Sequence, residues 1–486
     1  MDVLLKVLSW FVTNILTKPE FFIGIIVFVG YMLLKKPIYD SFAGFLKATV
    51  GFMILSVGAG GLVTTFRPIL AALKVKFEID AAVIDPYFGL AAVNSALKGI
   101  GQSASNTMIA LCIGFAVNIT LIIFRKVTKV RSLFITGHVM LQQATTVTWI
   151  MFSVFPELRN TTGTVLVGLL VGLYWGAGSN LTVEPTQRLT NNSGFAIGHQ
   201  QMFSIWVADK IAAKVGNPNK RVADIKLPKA LSIFHDNVVA TGTLMLFFFG
   251  AILLFLGPDL MSDPKLVELT GDKAVAGVLF DKKVWYGTYI LSTSLKFSVY
   301  LAILMMGVRM FVTELTQAFQ GISSRLLPGS LPAVDCAASY NFAHPNAILF
   351  GFATGLVAQL TMITLLVVFK SPILIITGFV PVFFDNATLA VYADKRGGVK
   401  AAVIVTAICG VLQVLGGAAA VGLFQLAGGW HGNIDFATAW PFFGFIMKNI
   451  GYVGIALVAI ILIVIPQLQY ARAKDKEAYF RAEGNN

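Results

Sequence analysis

Apolar residues run along this chain in long blocks almost free of charge, and the blocks are too long for the strands of a soluble sheet. Windows of the length that a helix needs to cross hydrocarbon, about 20 residues, predict eleven spans: 21–34, 42–64, 104–124, 133–156, 162–180, 236–257, 285–308, 346–368, 372–393, 400–425 and 442–466. Two further stretches, near 82–98 and 195–207, are too short or too polar to cross. They predict re-entrant or interfacial pieces, tolerated at membrane depth only where protein or a wet cavity covers the backbone. The first twenty residues set Lys6 and Lys18 beside an apolar face and contain no small-x-small cleavage pattern, which predicts an amphipathic interfacial segment over 1–20.

Composition turns this pattern into a class. At 486 residues, 56% hydrophobic, 13% charged and mean hydropathy +0.78, the chain has about half the charge of an ordinary globular domain. A soluble monomer is excluded, and the expectation is an all-α, integral, multi-pass membrane protein. The short alternating segments of a β-barrel are missing. Cys112, Cys336 and Cys409 stand alone in or near apolar runs, so neither a disulfide framework nor a CxxC metal site follows. The net charge of +13 reads as basic residues that hold loops at the cytoplasmic surface, not as a nucleic-acid footprint. Lys35 and Lys36, then Arg125 to Arg131, the basic loop 207–235, Lys395 to Lys400 and the tail after Arg472 fall on one side when eleven spans alternate. The amino terminus is then outside and the carboxyl terminus in the cytoplasm.

The chain also echoes itself. Ile119-Thr120-Leu121, Phe124-Arg125 and Ile135-Thr136-Gly137 return as Ile363-Thr364-Leu365, Phe369-Lys370 and Ile376-Thr377-Gly378, roughly 240 residues later. Ala82-Val83-Ile84-Asp85 with Tyr87 has a looser counterpart in Ala333-Val334-Asp335 with Tyr340. The expected organisation is a first repeat over 21–206, the loop 207–235, a second repeat over 236–430, a last span within 431–468 and a tail over 469–486. Because the two copies start in opposite directions, the repeats are inverted, the architecture of alternating-access transporters.

Polar groups inside apolar spans are costly and mark function by default. His138 and Gln142 lie four apart on one helical face, and Gly198-His199-Gln200-Gln201 repeats the same chemistry. Imidazole beside amide offers donors and acceptors that suit a polyhydroxyl ligand and not a metal. Asp335 is the last acid before a 34-residue uncharged run, and Asp85-Pro86-Tyr87 is the matching element of the first half, with Pro86 expected to break a helix. A carboxylate there accepts from sugar hydroxyls or binds a coupling proton or sodium ion. Lys296 falls in mid-span, which predicts a pairing with an acid such as Glu314 or Asp335, a face toward a wet interface, or a span placed elsewhere; Arg309, Glu314 and Arg325 read first as a helix end at the interface. No GxxxxGK[ST] nucleotide motif is present.

Several segments taken together resemble a known family. Gly51-Phe52-Met53, Thr136-Gly137-His138 with Gln142-Gln143, Gly194-Phe195 with Gly198 to Gln201, Ile233-Phe234-His235-Asp236-Asn237, Gly307-Val308-Arg309-Met310-Phe311-Val312, Asp335-Cys336-Ala337-Ala338 and Asn386-Ala387-Thr388 resemble, in order and spacing, the ascorbate-type membrane component (enzyme IIC) of the bacterial phosphoenolpyruvate-dependent sugar phosphotransferase system. The resemblance covers about residues 20 to 470. It implies an eleven-span homodimer in the cytoplasmic (inner) membrane, built of inverted repeats, with a V-shaped dimerisation domain and a mobile core that carries L-ascorbate by an elevator movement. It implies partners, enzymes IIB and IIA, which supply the phosphate; the chain itself carries no phosphoryl-transfer residue and no cofactor. Carried over residue by residue, the substrate contacts are Pro86, Tyr87, His138, Val139, Met140, Leu141, Gln142, His199, Gln200 and Asp335. Ala59 and Pro86 depart from the hydroxyl side chains of the ascorbate pattern, so a related sugar acid or polyol stays open as substrate. The rival reading is a sodium- or proton-coupled secondary transporter with Asp335 as its ion site.

Overall fold

The computed structural model describes residues 18–77, 80–225, 236–270, 273–327, 330–426 and 428–481, together with Ile15 and Ile233. Most of the segment expected over 1–20, together with Lys226, Lys229, Phe234 and His235, lies outside the described residues. Helices of eight residues or more are α1 (Pro19–Leu33), α2 (Ile38–Phe77), α3 (Pro86–Gly99), α4 (Ala104–Ile123), α5 (Gly137–Val154), α6 (Thr161–Leu181), α7 (Val183–Thr190), α8 (Met202–Val215), α9 (Asn237–Leu256), α10 (Tyr286–Leu326), α11 (Pro345–Val368), α12 (Asn386–Phe424), α13 (Ala439–Ile450) and α14 (Tyr452–Arg472). Among the described residues, seven helical stretches are long and apolar enough to cross a membrane.

The longest helices, α2 and α10, cross at small residues. A Cβ on Gly51 would come within 2.7 Å of the Phe311 backbone nitrogen, so only glycine lets the backbones approach this closely. Tyr31 of α1 fastens the pair by donating to Glu314 Oε2 at 2.6 Å, and Lys47 of α2 lies 3.4 Å from Glu314 Oε1. Glu314 is therefore a tie between three helices and not the partner of Lys296. The two lie 18 positions apart on α10, about 27 Å along its axis.

Among the described residues, six short strands join the helices: β1 (Asp80–Ile84), β2 (Ser132–Phe134), β3 (Ala196–Ile197), β4 (Leu331–Val334), β5 (Ile373–Thr377) and β6 (Gly428–Trp430). They form two three-stranded parallel sheets, ordered β5-β1-β6 and β2-β4-β3. Each sheet takes its central strand from one half of the chain and both outer strands from the other. Ile84 pairs with Thr377 and Trp430, and Ala333 with Phe134 and Ala196. No strand was expected. Each is short and embedded in apolar sequence, where a buried parallel strand and a buried helix share one hydrophobic pattern.

The strands correct several expected spans. Those at 133–156 and 372–393 open as β2 and β5 before turning helical. The 442–466 span is two helices, α13 and α14, parted at Gly451, whose φ of 65° belongs to the left-handed region. The basic stretch expected as a loop from 207 is helical to Val215. Two basic residues assigned to inner loops are also locked in place: Arg131, 4% exposed, pairs with Glu184, and Arg221 lies 2.8 Å from Asp394.

Candidate functional site

Each central strand delivers an aspartate at its end. Asp85 follows β1 and caps α3: its Oδ1 accepts from the Tyr87 and Phe88 amides at 2.9 and 3.3 Å, and its Oδ2 accepts from the Val380 amide at 3.3 Å. Pro86 thus begins a helix and does not break one. It occupies the first helical position, where a missing N–H costs nothing and φ is already suitable. Asp335 follows β4 in the same way and accepts from the Ala337 amide at 2.9 Å. Its other oxygen faces side chains: His138 Nε2 at 3.3 Å and His199 Nε2 at 3.9 Å.

His138 stands in the first turn of α5, just after β2, and His199 follows β3, so the two strands that flank β4 bring both imidazoles to Asp335. The rings lie 6.2 Å apart, edge to face. Gln201 donates its Nε2–H to Thr388 Oγ1 at 3.2 Å, which turns its Oε1 to His199 Nδ1 at 2.6 Å. Nδ1 therefore holds a proton, and a neutral His199 offers its Nε2 lone pair on the side of Asp335. Gln143 fixes the backbone beneath: it donates to the His199 carbonyl at 3.1 Å and accepts from Trp175 Nε1 at 2.6 Å.

Gln200 Nε2 donates to Gln142 Oε1. The remaining ends of the two amides, Gln142 Nε2 and Gln200 Oε1, are buried without a partner, one donor and one acceptor. These groups line a cavity of about 270 Å³ that also receives Tyr87, Met305, Arg309, Thr313, Phe379, Val380 and Phe384. Of the ten residues expected at the site, Tyr87, His138, Gln142, His199, Gln200 and Asp335 thus come together. Val139, Met140 and Leu141 are at most 1% exposed and pack into the core, and Pro86 is buried at the first position of α3. Ala59 of α2 is not among the lining residues. Sequence reasoning missed Phe379 and Phe384, whose apolar type carries no signal inside an apolar span. It placed Arg309 at an interface, although Met305, Arg309 and Thr313, spaced by four, share one face of α10.

The donor set is two-sided. His138, His199 and Asp335 gather their ligand-type atoms within 4.8 Å of one another, a grouping open to a cation: the two imidazoles join the carboxylate that the sequence offers as a sodium or proton site. The unpartnered amide pair and the aromatic wall instead match a small, flat, oxygen-rich molecule.

Taken together, the fold and this cavity define a multi-helix membrane protein with an interior polar site built where two halves of the chain exchange strands. The chain belongs to the EIIC-GAT family, described as the PTS system sugar-specific permease component, whose model matches residues 14–444. An "Ascorbate-specific PTS system EIIC component" of Mycoplasma pneumoniae is 34% identical over 433 residues, which cover 83% of this chain and 65% of that protein's length.

Proposed function

We propose that the protein is the membrane permease of a phosphotransferase system for L-ascorbate or a close sugar-acid relative. The carrying observation is the cavity's pattern of hydrogen-bonding groups: the unpartnered Gln142 Nε2 and Gln200 Oε1 beside His138, His199 and Asp335. A ligand bearing several hydroxyls and a carbonyl satisfies both polarities at once, whereas a bare cation leaves the Gln142 donor unmet. The ten expected substrate contacts then divide by role. Tyr87, His138, Gln142, His199, Gln200 and Asp335 act through side chains, and Pro86 and Val139 to Leu141 hold the helix starts that aim them. The similarity to the ascorbate-specific relative supports this substrate.

The same reading takes the exchanged strands as support for inverted repeats, with α2 and α10 as scaffold of a homodimer and the strand-bearing elements as the moving part of an elevator. The basic segments support a carboxyl terminus in the cytoplasm of a bacterial cell, where, on this reading, enzymes IIB and IIA phosphorylate the arriving substrate. The test is uptake of radiolabelled ascorbate into cells that express this chain with and without its IIA and IIB, followed by chromatography of the label. Phosphorylated label that requires both partners is the expected result. Unmodified label that collapses with the sodium or proton gradient would replace this reading with secondary transport, which the His138, His199 and Asp335 grouping favours.

A further inference from the structure

One face of α10, from Ser298 to Thr313, lines two cavities in succession. The first is the 270 Å³ cavity with His138 and Asp335. The second, about 480 Å³, runs past Ser298 and Ala302 to Asp236 at the start of α9. Met305, Arg309 and Phe379 border both. Arg309 is the shared cation, and its guanidinium makes no hydrogen bond or ion pair with any described residue. Other arginines of the protein are matched: Arg131 by Glu184, Arg188 by Asp209 at 2.6 Å and Arg221 by Asp394. Arg309 is exposed and not buried, but it stands in mid-helix within an apolar run, where a cation without a protein partner is read first as functional. The carboxylate of the cavity, Asp335, is already engaged by the Ala337 amide and faces two imidazoles. What Arg309 lacks is an anion, and a planar guanidinium suits a carboxylate or an enolate with two adjacent oxygens.

We propose that Arg309 recognises the negative charge of the substrate, so that the cavity selects singly anionic sugar acids over neutral polyols of the same shape. This rests on reading the cavity as the substrate site. The division of labour follows from the fold. Hydroxyls are read by the side chains carried on the strand ends, and charge is read from α10 across the cavity. Because Arg309 borders both spaces, the charge contact persists as the anion moves from one to the other.

The test uses the purified full-length protein and matched ligand pairs that differ in charge. These are ascorbate against its 3-O-methyl ether, which has lost the acidic enol, and gluconate against glucitol. Wild-type protein should bind the anionic member of its preferred pair at least about tenfold tighter, the worth of one charged hydrogen bond. Arg309→Gln should lose that preference and bind both members of the pair alike, with an unfolding midpoint close to that of the wild type to show that it is folded; Arg309→Lys should keep part of the preference. If ascorbate fails to bind but gluconate binds with an Arg309-dependent preference, the ascorbate assignment falls and the charge-reading role stands. A wild type indifferent to charge in every pair, or an Arg309→Gln variant that keeps the preference, overturns the proposal.

Discussion

Asp85 and Asp335 occupy matching places after central strands, yet the same substitution should act on them in opposite ways. In Asp335→Asn the cap is kept, because asparagine accepts from the Ala337 amide as well as aspartate does. The new amide faces His138 Nε2, now 3.3 Å from the carboxylate, and a neutral imidazole can turn acceptor by exchanging tautomers. Stability should therefore change by less than about 0.5 kcal/mol, within the range of a harmless exchange. What is lost is charge at the ligand: a hydrogen bond to a charged group contributes about 1.5–3 kcal/mol and a neutral one about 0.5–1.5. Binding of ascorbate should weaken by about 1–2 kcal/mol, roughly 5–30-fold. In Asp85→Asn both oxygens already accept from backbone, Tyr87 and Phe88 on one and Val380 on the other. Either orientation of the amide sets an NH2 against a buried N–H, which costs about 1–3 kcal/mol. The assay is thermal unfolding of the purified protein alongside equilibrium binding. A lower midpoint for Asp85→Asn with normal binding once folded, against an unchanged midpoint and weakened binding for Asp335→Asn, is the expected pattern. Equal destabilisation by both, or full-strength binding by Asp335→Asn, would refute the division between structural and ligand-facing carboxylates.

Two more predictions concern the cation grouping and the scaffold. Because His138, His199 and Asp335 hold their ligand-type atoms within 4.8 Å, zinc should compete with substrate in the binding assay, and His199→Ala should relieve that inhibition; zinc that inhibits without competing would place its site elsewhere. Gly51→Val should push α2 from α10 at the Phe311 backbone, destabilise the protein by about 1–3 kcal/mol and lower the unfolding midpoint, whereas Gly60→Ala on the same helix, with open space around it, should leave it nearly unchanged.

What could be read ahead of the structure was the cost of polarity. His138 and Gln142 announce themselves by standing four apart in a span without a single Asp, Glu, Lys or Arg, and Asp335 by preceding a long uncharged run. What could not be read is who meets whom. The contact between His138 and His199 is made by β2 and β3 lying on either side of β4, and two- or three-residue strands leave no periodicity to detect. Asp385 shows the other limit. It lies inside an expected span and was not singled out, yet it is fully buried and accepts from Gln413 at 2.9 Å, Asn433 at 2.7 Å and the Ile434 amide at 2.6 Å. A carboxylate satisfied in this way looks in sequence like one poised for a ligand. Pro86 was misread because proline before a helix and proline within one differ only in what precedes them, here the capping Asp85.

The exchanged strands also set a schedule for biosynthesis. β1 leaves the ribosome with neither neighbour in existence: β5 begins at Ile373 and β6 at Gly428. At about 5–20 residues per second, β1 waits roughly 15–60 s for its first partner, with its backbone edges unpaired. During that interval the amino-terminal half is a set of inserted helices around an unfinished centre. Neither half can complete its own sheet, so a chain cut in the 216–236 region should regain its native centre only when both pieces are made in the same cell.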